Sequence, residues 1–238
     1  MYLGNSLTVP NIVNLPGQGG GGSAFEYTAI DNSFSMLFDG AASYYNVNSL
    51  ISGLSGQGAG TISMWWKPVD ATPLQSTHYF TVSSTTVTND YFSMGNLSNG
   101  KFYAQLKDNN NNQWVLETDA IAFSDNTWSH VVLTQNGTEP EVYINGVKPA
   151  QSFSVDVNRN RWWNYITIEQ INIGAIIWSG GTATRTEGKI DELAVWTSAL
   201  SEETIQAIYD TTANNPGKVA DLSETPEGQP TAWYRMGD

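Results

Sequence analysis

The stretch EVYINGVKP, residues 141–149, constrains the fold more than any other part of the chain. Asn145-Gly146 is the kind of residue pair that closes a type I′ turn, because both tolerate the positive φ that such a turn requires. Ile144 and Val147 flank the pair, so two antiparallel strands must leave it side by side. Other segments carry the same signature. KFYAQLKD (101–108) alternates, with Phe102, Ala104 and Leu106 on one face and Lys101, Tyr103, Gln105 and Lys107 on the other, which is the pattern of a half-buried strand. DNNNNQ (108–113) is the turn after it. TWSHVVLTQNG (127–137) is a strand that ends in a second Asn-Gly pair. Further strands are predicted at TISMWWKP, HYFTVSS, DYFSMG, ITIEQINIGA and KIDELAVW. Segments of this length and spacing predict an all-β, two-sheet antiparallel sandwich of about a dozen strands. Phe102, Leu106, Val132, Val142, Ile144, Leu193 and Val195 are the expected core.

One helix interrupts the strands, at SEETIQAIYD (201–210). Ser201 is a suitable N-cap, and Glu202 and Glu203 sit in the first turn, where the helix dipole favours them. Leu200 and Ile205 are placed as a hydrophobic staple. The stretch from Asn214 to Pro230 reads as loop, and TAWYRMGD (231–238) as a last strand.

Composition excludes several functions. Hydrophobic residues make up 40% of the 238 positions and charged residues 14%, enough apolar surface for a substantial core. The formal net charge of −13 argues against nucleic acid, whose phosphates need Lys and Arg, and against an anionic membrane surface. With no cysteine there is no disulfide framework, thiolate metal site or cysteine nucleophile. No basic, apolar export leader is legible at the N-terminus, and no apolar run reaches the ~18 residues of a membrane span.

Residues 1–32 read as an N-terminal arm with a Gly-rich linker, PGQGGGGS (16–23), and residues 33–238 as the folded domain. Leu7, Val9, Ile12, Val13 and Leu15 precede the linker. They suit either a free tail or an arm that anchors on a partner, and the anchoring reading accounts better for five aliphatic side chains.

In order along the chain, FSMLFDGAASYYNV, TISMWWKP, WSHVVLTQNG, EVYINGV and GKIDELAVWTSALSEETIQAIY resemble the laminin G-like, concanavalin A-like lectin/glucanase jelly-roll family, over Phe34 to Tyr209. The family usually opens with a Trp-Tyr-containing strand before the FDG segment. None precedes Phe34 here, whereas AWYRMGD ends the chain, so the C-terminal segment is expected to fill that edge slot. The alternative is that this segment opens a further region.

The segment EGKIDELAVW (187–196) poses the question of catalysis, because it carries Glu187, Asp191 and Glu192. Strict alternation puts Asp191 on the face of Leu193 and Val195, and Glu192 on that of Ile190, Ala194 and Trp196. Glu187 and Asp191 share a face but stand about 13 Å apart, beyond the separation of either a retaining or an inverting pair. The related glucanases place acids at alternate positions of one strand; here the middle position is Lys189. No catalytic residues are therefore assigned. The resemblance instead brings Asp39, in the FDG turn, towards Asp191, where hard oxygens suit Ca²⁺; backbone hydrogen bonds to the two Asp side chains are the alternative. His78 and His130 read as packed residues, and no nucleophile elbow supports a serine triad. Trp162, Trp163 and Trp178, close to Arg159 and Arg161, form either a carbohydrate- or partner-binding platform or part of the core.

The resemblance extends to jelly-roll proteins found among the structural proteins of marine bacteriophages. It implies a non-enzymatic virion structural protein, assembled in a host cytoplasm with copies of itself or other virion proteins. The alternative is a carbohydrate-binding or adhesin module at a cell surface, with a glycan as partner. Neither reading involves nucleic acid or membrane insertion.

Overall fold

The computed structural model describes residues 25–179 and 184–237. Asn145 and Gly146 adopt φ of 53° and 77°, and Ile144 bridges Val147, so the expected turn forms. In chain order the elements begin with β1 (Ala29–Asp31), β2 (Met36–Asp39), β3 (Tyr45–Asn46), the single-turn α1 (Ile51–Leu54), β4 (Gly60–Pro68), β5 (Phe80–Ser83), β6 (Tyr91–Asn96), β7 (Phe102–Asp108) and β8 (Asn111–Thr118). They continue with β9 (Ser129–Gln135), β10 (Pro140–Ile144), β11 (Gln151–Asp156), β12 (Gln170–Ile173), β13 (Ala175–Ile176), β14 (Thr184–Arg185), β15 (Glu187–Trp196), α2 (Glu202–Asn214), β16 (Lys218–Ala220) and β17 (Ala232–Tyr234).

Two antiparallel sheets carry the fold. One runs β10-β9-β4-β15-β17, with β2 also on β15; the other runs β11-β8-β7-β6-β5-β12-β3. Between them lies the main core, which includes Phe38, Trp66, Phe80, Phe92, Phe102, Leu106, Trp114, Val142, Leu193 and Val195. Ile144 is only partly buried against it. Val132 is fully buried but faces the other way, in a second cluster with Tyr143, Ala194, Trp196, Ile205 and Ile208 beneath α2.

The helix extends four residues past the predicted end. Ser201 caps it, its hydroxyl accepting from the Thr204 amide at 3.3 Å, and Leu200 and Ile205 are buried in one cluster. The loop expected over 214–230 contains β16, which pairs with β1 from Ala29↔Ala220 to Asp31↔Lys218. Residues 25–32 therefore belong to the folded domain rather than to the arm: Tyr27 is buried, and its hydroxyl donates to Thr225 Oγ1 at 3.3 Å. Two three-residue strands, far apart in the chain, carry too short a pattern to be seen singly. Leu7, Val9, Ile12, Val13 and Leu15 lie outside the described residues.

The C-terminal strand fills the expected edge slot. β17 pairs with the second half of β15 at Leu193–Val195, and β2 pairs with the first half at Glu187–Ile190. One edge of β15 is thus shared by segments from opposite ends of the chain.

Gly174 shows how tightly the sheets close. At φ 81° it sits against Phe38, and an added Cβ would come within 2.2 Å of the ring. Gly174→Ala is expected to cost more than about 2 kcal/mol, from overpacking together with the strained φ. Urea unfolding measures it; a loss below about 0.5 kcal/mol would mean that Phe38 has room to move.

Candidate functional site

At one end of the sandwich the FDG turn, the loop after β4 and the short strand β14 surround a cleft of ≈ 560 Å³. Gly40 and Ala41 form one wall, the segment from Asp70 to Thr77 another, and Thr184, Arg185 and Glu187 a third. The turn holds its shape through Asp39. One carboxylate oxygen accepts the amides of Ala41, Ala42 and Ser43, each at 2.9 Å, and the Ser43 hydroxyl at 2.7 Å. These donors, those of Ser43 foremost, hold the Asp39 carboxyl well below the usual range. Asp70 likewise accepts the Thr72 amide at 2.8 Å.

Arg185 is the unusual member. Its guanidinium lies over the ring of Tyr44, 4.6 Å from the centroid. Among the described residues its Nη1, shielded from water, has no hydrogen-bond partner, and the same holds for Oγ1 of Thr184. Arg185 forms no ion pair among the described residues, whereas Arg159, Arg161 and Arg235 each have a carboxylate partner. A guanidinium at a cleft wall with no carboxylate partner among the described residues leaves its charge unmatched within the site. Nothing in the local sequence, TRTEG, marks this arginine; its isolation comes from the fold.

The expected pairing of Asp39 with Asp191 is not assembled. Asp39 stands opposite Glu187 across β2 and β15, and Asp191 lies four strand positions further on, roughly 13 Å away. Asp191 is buried and accepts the Asn32 side-chain amide at 3.2 Å and the Glu192 backbone amide at 2.9 Å. Among the described residues no group of three His, Asp or Glu side chains is placed to hold a metal ion.

Strict alternation also fails on β15. Asp191 pairs with Trp65 but Ala194 with Ser63, so β15 carries one extra residue in a bulge, and Glu192 takes φ 49°. Ile190, Leu193 and Val195 all face the core, while Asp191 and Glu192 turn to the outer side together. Asn32 bridges them, donating to Glu192 Oε1 at 2.8 Å as well as to Asp191. Trp233 donates to Glu192 Oε2 at 2.6 Å, and Arg235 approaches Oε1 at 3.4 Å. Burial is the main cause that pushes the Glu192 carboxyl up to about 7. The adjacent acids thus do converge, but on a buried staple. They fix β1 and β17 to the sheet at the point where the edge of β15 changes partner.

Both histidines are packed. His78 accepts or donates a hydrogen bond with the Tyr103 hydroxyl at 2.8 Å, and His130 Nε2 meets Ser63 Oγ at 2.9 Å. Among the described residues His130 Nδ1 has no partner, and no carboxylate orients the ring as a triad would need. Burial pushes His130 down to about 3.

The aromatic platform is also revised. Trp162 and Trp163 are fully buried, with Trp162 stacked parallel to Trp114 at 6.1 Å and 5.0 Å from Phe92. Trp178 is half-buried, 5.5 Å from Tyr91, and its N–H donates to Asn89 at 2.8 Å. Tyr91 and Phe92 are neighbours on β6 and face opposite sides, so the sheet separates Trp178 from the other two.

The model of the concanavalin A-like lectin/glucanase superfamily, Laminin_G_3, matches residues 39–206. The chain belongs to this superfamily. No protein of curated function matches it in sequence. Its fold is similar to the CBM40 of a Ruminococcus gnavus IT-sialidase bound to alpha2,3 sialyllactose, at 16% identity and TM-score 0.61, over 79% of this chain and 100% of that one. It is similar to a leech intramolecular trans-sialidase, at 20% identity and TM-score 0.60, over 78% of this chain but only 28% of that enzyme. A heptameric SAP-like pentraxin of Limulus polyphemus matches at 16% identity and TM-score 0.52, over 84% and 91% of the two chains. At these identities the likeness establishes the fold of this superfamily domain. None of it bears on the virion role expected from the sequence.

Proposed function

We propose that this superfamily domain is a non-catalytic carbohydrate-binding module that works outside the cell or at its surface. Its ligand is an acidic glycan, taken in the cleft beside the FDG turn. The observation that carries the reading is Arg185, a positioned guanidinium without an ion pair among the described residues. A planar guanidinium matches a sugar carboxylate in two parallel hydrogen bonds. Asp70 and Glu187, on the facing walls, are acceptors for sugar hydroxyls. Pro73, Leu74 and Ala41 add apolar surface for the ring. That one similar module is seen with sialyllactose makes a sialylated glycan the first ligand to test.

Titration calorimetry with 3′-sialyllactose tests the proposal. A charged hydrogen bond contributes about 1.5–3 kcal/mol, so Arg185→Ala is expected to weaken binding at least about tenfold. Arg185→Lys is expected to recover only part of it, because a single ammonium cannot make the paired contact. Equal affinity of wild type and Arg185→Ala would place the ligand elsewhere.

A further inference from the structure

At the other end of the seven-stranded sheet, DNNNNQ does more than turn the chain. Asn109 and Asn110, at φ 44° and 69°, suffice to close the two-residue hairpin between β7 and β8. Asn112 is not needed for that turn, and the side-chain amides of both Asn109 and Asn112 are exposed and make no hydrogen bond among the described residues. With the loop before Trp162, the hairpin surrounds a shallow depression of ≈ 570 Å³.

Its floor is fixed. Asn158 donates its side-chain amide to Gln113 Oε1 at 3.0 Å, and Gln113 is buried. Arg161 is ion-paired with Asp108 and lies over the half-exposed Tyr165 ring, 4.5 Å from its centroid. Asn110 accepts the side-chain amide of Asn89, in the turn before β6, at 3.0 Å. The walls thus offer free amides, each both donor and acceptor, around an arginine whose charge is already matched. That chemistry suits vicinal hydroxyls and gives no preference for a negative group.

We propose that this depression is a second glycan contact, for a neutral sugar unit, with Asn109 and Asn112 as its hydrogen-bonding residues. The proposal rests on the carbohydrate reading but not on Arg185. Thr77, at the cleft, pairs with Asn96 at one end of β6, and Asn110 joins Asn89 beyond the other. Six strand residues separate the two sites by roughly 20 Å, several sugar rings apart.

A glycan array carrying neutral and sialylated oligosaccharides, probed with wild type, Arg185→Ala and Asn109→Ala/Asn112→Ala, tests it. The expected result is that the double variant loses about tenfold in apparent affinity for the neutral glycans, retains the sialylated ones, and melts at the wild-type temperature. Arg185→Ala should show the reverse selectivity. In wild type, the Asn109 and Asn112 side-chain amide resonances should shift on titration with the best neutral glycan of the array. The proposal is overturned if no neutral glycan is retained, if the double variant keeps them all, or if those resonances stay unmoved. Loss of the sialylated signals alone would count against the cleft, not against this site.

Discussion

Between pH 4.5 and about 7 the folded protein is expected to lose on the order of 3 kcal/mol of stability through Glu192 alone. In the unfolded chain this carboxyl ionises near the ordinary glutamate value of 4.5; in the fold, burial delays it to about 7. The folded state therefore holds a proton that the unfolded state releases. The contribution is fully present below 4.5 and is lost as pH rises through 7. Asn32, Trp233 and Arg235 favour the ionised form, but their donors offset the burial only in part. Asp191 adds a second acid to the site, and His130, across the sheet, stays neutral throughout this window. Asp39 and Glu169 act in the opposite sense. Their carboxyls are held below the usual range by local donors, for Glu169 chiefly the Thr86 and Ser84 hydroxyls, so they add stability that is lost only as pH falls below about 4.5. Urea unfolding of wild type and Glu192→Gln across pH 4 to 8 separates these effects. The difference between the two proteins should change by that amount over the window. Parallel profiles would show that Glu192 ionises freely in the fold.

Trp162→Ala is expected to cost about 3–5 kcal/mol, the range for removing a buried tryptophan. The side chain is packed against Phe92, Trp114 and Trp163, and its removal leaves a large void that those rings cannot close. Trp162→Phe should cost markedly less. It keeps an aromatic ring and removes a buried indole N–H that has no partner among the described residues. Thermal unfolding distinguishes the two variants. The folded fraction of each should retain wild-type affinity for 3′-sialyllactose. A stable Trp162→Ala protein that has lost its glycan would restore Trp162 as a binding platform.

Both predictions fall where reading along the sequence and reading across the sheet diverge. Local signals placed most strands, the Asn145-Gly146 turn, the Ser201 cap and six fully buried residues of the seven expected in the core. These features depend on a residue and its near neighbours, through φ preference and the two-residue alternation of a strand. Alternation failed at Asp191 and Glu192, where one extra residue reverses the facing of every side chain beyond it. No local pattern announces that extra residue, because it is set by pairing with β4 and by donors from both ends of the chain. The arginine of the cleft was equally silent. Arg161 and Arg185 have the same chemistry, but the fold puts a carboxylate beside one and none of the described acids in contact with the other. The sequence by itself determined a two-sheet sandwich of this superfamily, because strand and turn preferences act over a few residues. Which acids are buried, which tryptophans are core and which arginine has no carboxylate partner among the described residues were decided by tertiary structure, because burial and partnership belong to pairs of residues far apart in the chain.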